Sequence, residues 1–469
     1  MFSTTQRQSR SALGTGILGL AVLAAGCGPA RNAETRAPTP VPSAAASSAP
    51  KAEPPSSEPH LRDVKQITFG GENAEAYWSF DGTQLSMQAH QGEGCDQIYR
   101  LTPGSAPTRV STGKGATTCS YFMPGDKEII YASTHLAGDA CPPKPDNSQG
   151  YVWALYDSYE IFKANADGSN LRQLTNSPGY DAEATVCKKD GSIVFTSVRD
   201  GDIELYRMNA DGSGVKRLTH TPGYDGGAFF NEDCSKLVWR ASRPKGAALE
   251  EFRGLLAKGL VRPTKLELFV GDADGGNATQ VTYLNKASFA PFFFPGSKRI
   301  LFSSNYGDAK GREFDIWAIN TNGAGLERIT TTPGFDGFPM FSPDGKTLAF
   351  ASNRATAPGQ NDTNVFLARW EAAPENQITE ETGADRMQKD IAWLADPARE
   401  GRGLGTKGLT AAGEFIEKRF AALGLAPAGE KGTFRDHFDV AKHVKVEPAS
   451  SLSLADANVA ADAFQPLAF

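Results

Sequence analysis

The chain has 469 residues, more than one ordinary core accommodates, so two or more domains are expected. Hydrophobic residues make up 40% of it, and 49 glycines with 29 prolines suit a turn-rich β protein. The net charge of −6, with no basic block, argues against a nucleic-acid partner, and no run after the N-terminus is long and apolar enough to span a membrane.

The first 27 residues read as a targeting signal. Arg7 and Arg10 precede an apolar run from Leu13 to Ala25, which ends in Leu23-Ala-Ala-Gly-Cys27. Positive charge followed by a short apolar stretch marks a secretory signal. The small residues before Cys27 resemble a bacterial lipobox, although Ala24 stands where leucine is usual. That resemblance implies cleavage before Cys27 and lipid on its thiol. An ordinary signal peptide with an incidental cysteine is the alternative. Gly28 follows, rather than the aspartate that retains lipoproteins in the inner membrane, so the outer membrane is favoured. Residues 28–60 are rich in Pro, Ala and Ser and nearly lack large apolar side chains. Such a stretch buries too little surface to offset its ordering entropy and is expected to be a disordered, extended tether.

From about residue 61 to 375 one pattern recurs. Its clearest copy runs from Leu326 to Arg354 and reads strand, loop, strand, tight turn, strand. Further copies lie at Leu171–Arg199 and Val215–Arg243, and weaker ones start near Gln66, Arg109 and Gln280, giving six. A repeat of this length built of short strands signals a propeller or solenoid. Pro343-Asp-Gly345 makes a tight turn between the first two strands of a unit. Asn322-Gly323, Asp167-Gly168, Asp211-Gly212 and Asp274-Gly275 make the hairpin before the fourth. Four antiparallel strands per unit predict a mostly β fold, a six-bladed β-propeller. The ring is expected to close when Val64–Thr68 joins the last blade, with Asn376–Thr379 the alternative closing strand.

The Leu-Thr, Pro-Gly-Tyr-Asp, Ser-Pro-Asp-Gly and Ala-Asp-Gly-Ser elements, in register over about Val64–Trp370, resemble the TolB-type, WD40-like repeat of bacterial envelope proteins. The resemblance implies a protein or peptide ligand on one face of the ring.

The Pro-Gly-Tyr-Asp loops and the loops after each second strand share a face, and that face carries the elaborations. His135–Tyr156 is long, and Ala247–Val261 reads as a helix with Leu249, Phe252, Leu256 and Leu260 at helical spacing. Long loops on a rigid scaffold often carry function, though a helix covering a blade edge is the plainer reading. Asp181, Asp225 and Asp336 end their loops at the mouth of the expected channel, and Asn73 fills that slot in the first blade. Such a ring could bind a cation or a peptide's amino terminus. The alternative is that each aspartate caps its own loop amides. Five cysteines follow Cys27. Cys187 and Cys234 fall in equivalent turns of neighbouring blades and are a candidate disulfide. Two of Cys95, Cys119 and Cys141 could pair, leaving one free. No Cys-x-x-Cys occurs, and no metal site is read in the ring.

Residues 376–469 break the period. Ala384–Ala395 reads as a helix, the Gly-rich stretch Glu400–Gly408 as a loop, and Thr410–Leu423 as a second helix with Phe415, Ile416, Phe420 and Leu423 inward. Ile391-Ala-Trp-Leu-Ala-Asp396, Glu400-Gly-Arg-Gly403 and Phe420–Gly429 resemble the opening of M28-family zinc aminopeptidases, with Phe434–Val440 fitting the strand that follows. The family's chemistry needs two zinc ions and a glutamate base, from residues later than the segment matched here. His437-Phe-Asp439 has the form of its first zinc motif, but only His443 follows and no ligand series completes it. No catalytic, metal or cofactor residue is therefore assigned within the chain, and zinc is expected only for the missing domain. Two readings stand. One is the N-terminal portion of a lipid-anchored, propeller-fused M28 peptidase. The other is a non-catalytic TolB-like interaction lipoprotein of the envelope. A propeller hydrolase is disfavoured, because no Gly-x-Ser-x-Gly elbow occurs in the ring.

Overall fold

The computed structural model describes residues 58–436, apart from 91–93, 149, 358, 361, 373–382, 404, 423–424, 426 and scattered tail side chains, together with two short strands between 452 and 459. The signal, Cys27, the tether up to residue 57, the alternative closing strand Asn376–Thr379, and the His437–Asp439 and His443 positions lie outside the described residues.

Six four-stranded antiparallel sheets form a mostly β, six-bladed propeller. Their innermost strands are Glu72–Trp78, Thr117–Phe122, Asp181–Val186, Asp225–Phe230, Ser288–Phe293 and Asp336–Phe341, in blades 1 to 6. Blade 6 takes its outermost strand from the start of the chain: Leu61–Gln66 pairs antiparallel with Asn364–Trp370. This joins the first and last repeats, so the ring has no open seam. His60 locks the join. Its ring stacks on Trp370 at 4.9 Å between centroids, and Nε2 lies 2.8 Å from Glu327.

The turns explain why these residues make blades. In Asp211-Gly212-Ser213 the carboxylate accepts from the Ser213 amide at 2.9 Å and its hydroxyl at 2.7 Å. Gly212 has φ of 89°, and a Cβ there would stand 2.6 Å from the carbonyl oxygen of Leu174 on the preceding blade. Glycine thus serves both the left-handed turn and the close packing of blade on blade. Between blades 3 and 4 the core is Val194, Leu205, Leu237 and Trp239, each at most 1% exposed. Burial of each such side chain contributes roughly 1.5–3 kcal/mol.

Cys187 is bonded to Cys234, tying blade 3 to blade 4, and Cys95 to Cys141; Cys119 is free. Beyond the ring, helices Gly383–Ala395 and Lys407–Ala422 pack through a stack of Trp393 on Phe415, 4.2 Å between centroids. Met387, Ile391 and Phe420 are exposed, as expected of apolar helix faces that the M28 resemblance packs on a further domain, and Ile416, expected inward, is exposed with them. Ala412 takes the buried position, one turn after Gly408, where the helix packs closely on Pro397–Arg402.

Candidate functional site

The slot that opens each innermost strand holds Asn73, Thr117, Asp181, Asp225, Ser288 and Asp336. Asn73, Asp181, Asp225 and Asp336 are at most 1% exposed. Each aspartate is taken by an arginine that follows the second strand. Arg199 reaches Asp181 at 2.7 Å, Arg243 grips Asp225 with both terminal nitrogens at 2.7 and 2.8 Å, and Arg354 reaches Asp336 at 2.8 Å. Each guanidinium also lies over aromatic rings, as Arg354 does over Phe350 at 4.9 Å. Asn73 instead donates to the Gly70 carbonyl at 2.8 Å. The expectation of an open carboxylate ring is therefore corrected: burial favours pairing over exposure, and the partners lie outside the loops. A signal for this stood in the sequence. Aspartate and arginine are 18 residues apart in blades 3, 4 and 6. Blades 2 and 5, lacking the aspartate, carry His135 and Tyr306 at that distance.

The position two residues after the slot lines the mouth. Each innermost strand has a β-bulge there, and its third residue takes a left-handed φ: Glu75, Cys119, Glu183, Gly227, Ala290 and Phe338, between 48° and 59°. Bulges re-aim side chains next to functional sites. Below this layer Tyr77, Tyr121, Phe229 and Phe292 meet near the axis. Tyr77 to Phe229 is 5.4 Å and Phe229 to Phe292 is 5.7 Å between centroids. The channel is thus a funnel with an aromatic floor.

The polar side of the funnel is built around Glu183. Its carboxylate pairs with Arg240 and accepts from Thr196 at 2.8 Å and Tyr224 at 3.1 Å. Gly226 and Gly227 make room for this group. A Cβ on Gly227 would stand 2.0 Å from Arg240 Nη1, and one on Gly226 would stand 2.7 Å from Glu183 Oε2. Glu75 is hydrogen-bonded to the Cys119 thiol, yet its Oε2 is buried with no hydrogen-bond partner. On the other side Phe289, Phe314, Phe335 and Phe338 form a half-exposed cluster, with Phe289 to Phe338 at 5.6 Å.

Two insertions roof the polar side. The helix of the blade 4 insertion ends at Leu256, not at Val261 as its periodicity suggests, because Gly259 turns the chain with φ of 66°. Leu260–Val261 then pairs with Trp153–Ala154 of the blade 2 insertion. Trp153 covers the Arg240 guanidinium at 5.3 Å, and the disulfide from Cys141 to Cys95 fixes the insertion's far end. The four most exposed large apolar side chains of the ring, Phe69, Leu136, Tyr151 and Tyr283, all rise from loops of this face. The opposite face has a shallow groove lined by Lys188, Lys189, Glu232 and Asp233.

Burial pushes the Glu75 carboxyl up to about 7 from its ordinary 4.5, although the Cys119 thiol opposes this. The folded chain then holds a proton that the unfolded chain releases. Stability linked to this group is full below pH 4.5 and falls as pH rises through about 7. At about 1.4 kcal/mol per pKa unit, Glu75→Gln gains up to about 3 kcal/mol over wild type between pH 5 and pH 8. Thermal unfolding at the two pH values measures this; an unchanged difference contradicts the burial assigned to Glu75.

No family model matches the chain. An uncharacterized protein of Agrobacterium fabrum is 24% identical over 139 residues. The match covers 29% of this chain and 46% of that protein, so it spans less than half the relative's length. Among solved structures, the putative TolB from Agrobacterium tumefaciens is 18% identical, with a TM-score of 0.45 over 66% of this chain and 97% of that one. TolB from Acinetobacter baumannii is 18% identical, with a TM-score of 0.40 over 56% and 55%. An oligogalacturonate lyase in complex with manganese is 12% identical, with a TM-score of 0.41 over 67% and 93%. At such identities likeness concerns the fold, and nothing about activity is taken from it. Among the described residues, no group of three or more His, Cys, Asp and Glu side chains is placed to hold a metal.

Proposed function

We propose that the chain is the protein-binding portion of an exported envelope protein, with the roofed, aromatic-rich face of the propeller as its docking surface. The observation that carries this is the placement of Phe69, Leu136, Tyr151 and Tyr283, between 60% and 76% exposed, on one face around one funnel. Exposed apolar groups rimmed by polar ones mark interaction surfaces. The apolar run before Cys27 supports export and a lipid anchor at that residue, which would hold the ring on the outer membrane through the Pro-rich tether. Among the described residues no helix is long and apolar enough to cross a membrane.

The Gly383–Ala395 and Lys407–Ala422 helices support reading the tail as the opening of an M28-type aminopeptidase, to which the ring would deliver peptides. The described residues offer no zinc ligand set, so no catalytic step is assigned to them. An in-frame His-x-Asp and Glu-Glu series downstream of Phe469 is what this reading expects; a stop codon there favours the non-catalytic envelope lipoprotein.

Photo-crosslinking in cells tests the docking face. A photoreactive residue at Tyr151 or Tyr283 should trap a polypeptide, and one at Lys189 or Glu232 should not. Trapping from the Lys189 face alone contradicts the assignment.

A further inference from the structure

The six bulge positions divide the funnel mouth. Blades 1 to 3 contribute Glu75, Cys119 and Glu183, and blades 4 to 6 contribute Gly227, Ala290 and Phe338. Blade 6 adjoins blade 1, so the phenylalanine cluster stands next to Glu75 around the ring. The two acids differ. Glu183 is satisfied by Thr196, Tyr224 and Arg240, and the Arg240 charge offsets its own. Glu75 keeps one buried oxygen without a partner, as Asp181 and Asp336 do, but unlike them it has no arginine paired with it among the described residues. A buried acceptor left unpaired is costly, and a ligand that supplies donors and positive charge removes that cost. The floor of Tyr77, Tyr121, Phe229 and Phe292 closes the funnel below. A blind funnel admits the end of a chain but does not let a strand thread through.

We propose that the funnel receives the free amino terminus of a polypeptide whose first residue is apolar, with the α-ammonium on Glu75 and the first side chain against Phe289 and Phe338. This deepens the protein-binding reading and rests on it. An ammonium has three donors, which suits the free oxygen of Glu75 beside the Cys119 sulfur. Arg240 does not repel it, because Glu183 holds that charge. The titratable and charged groups around Glu75 are Cys119, Glu183, Arg240, Asp96, Tyr77 and Tyr159. With the Glu75 carboxyl at about 7, binding should tighten as pH rises from 6 and weaken again once the peptide amine, of pKa about 8, loses its proton.

The test titrates the full-length chain with three synthetic peptide amides, followed by calorimetry. The first begins with a free leucine amino terminus, the second is its acetylated twin, and the third is acetylated and begins with lysine. The first should bind with a maximum between pH 7 and pH 8, and acetylation should weaken it about tenfold or more, the loss of one charge-assisted contact. Glu75→Gln should weaken the free-amine peptide to the same degree and leave the acetylated one unchanged. Acetylation alters only the ligand, so that comparison holds even if the variant folds poorly. Equal binding of the first two peptides, or no effect of Glu75→Gln in a folded variant, overturns the proposal. So does tight binding of the lysine peptide, which would place a side-chain ammonium in the funnel. In each of these outcomes the face still binds polypeptide and the broader reading survives. If no peptide binds and no photo-crosslink forms from Tyr151 or Tyr283, both fall.

Discussion

Arg243→Ala is expected to lower the stability of the ring by about 3–5 kcal/mol, the usual effect of breaking a buried ion pair from one side. Asp225 is 0% exposed and accepts three hydrogen bonds, from Trp239 at 2.7 Å and from Arg243 at 2.7 and 2.8 Å. Removing Arg243 leaves a buried carboxylate with one neutral donor. Removing Asp225 instead leaves Arg243, whose side chain is 23% exposed and still lies over Phe269 at 4.6 Å. That guanidinium reaches water, so Asp225→Asn should cost less. Asp225→Asn with Arg243→Gln leaves no unpaired charge at either position and should cost less than the two singles summed. Urea unfolding of wild type, Asp225→Asn, Arg243→Gln and the double variant measures the coupling, with Arg243→Ala measured beside them. A loss under about 1 kcal/mol for Arg243→Ala contradicts the role given to the pair.

Removing the bond between blades 3 and 4 should have an effect of similar size. Cys187 and Cys234 close a loop with a sequence separation of 47 residues. Loop-closure entropy assigns such a crosslink roughly 4 kcal/mol, through restriction of the unfolded chain. Cys187 is 0% exposed, so alanine is the replacement that leaves no buried hydroxyl unpaired. Cys187→Ala with Cys234→Ala should therefore unfold at a clearly lower urea concentration than the parent. Reductant should shift the parent further than it shifts the variant, which retains only the Cys95–Cys141 bond. Equal midpoints for parent and variant under oxidising conditions contradict the crosslink.

Blades were legible because their turns demand particular residues. Asp-Gly and Pro-Asp-Gly recur where a left-handed residue and a capping carboxylate are needed, as at Asp211-Gly212. The mouth was far less legible. Its bulge positions hold Glu, Cys, Glu, Gly, Ala and Phe, a set with no shared chemistry, since the common property is a backbone angle. The aspartates drew attention as charges in a loop, yet their meaning lay in arginines 18 residues on. Pairing of Trp153 with Val261 joins distant insertions, and neither two-residue strand has a pattern of its own. In the tail, periodicity located the helices, but which face is covered depends on a partner surface that one helix does not specify. Ile416 and Phe420 show this.

Hydrogen exchange of the full-length chain, with and without the leucine-initiated peptide at saturation, tests most directly whether this face binds polypeptide. Slowed exchange is predicted in Glu72–Trp78, Thr117–Phe122 and Asp336–Phe341, and around Trp153 in the roof. Slowing confined to the turns around Lys189 and Glu232, on the opposite face, would contradict it.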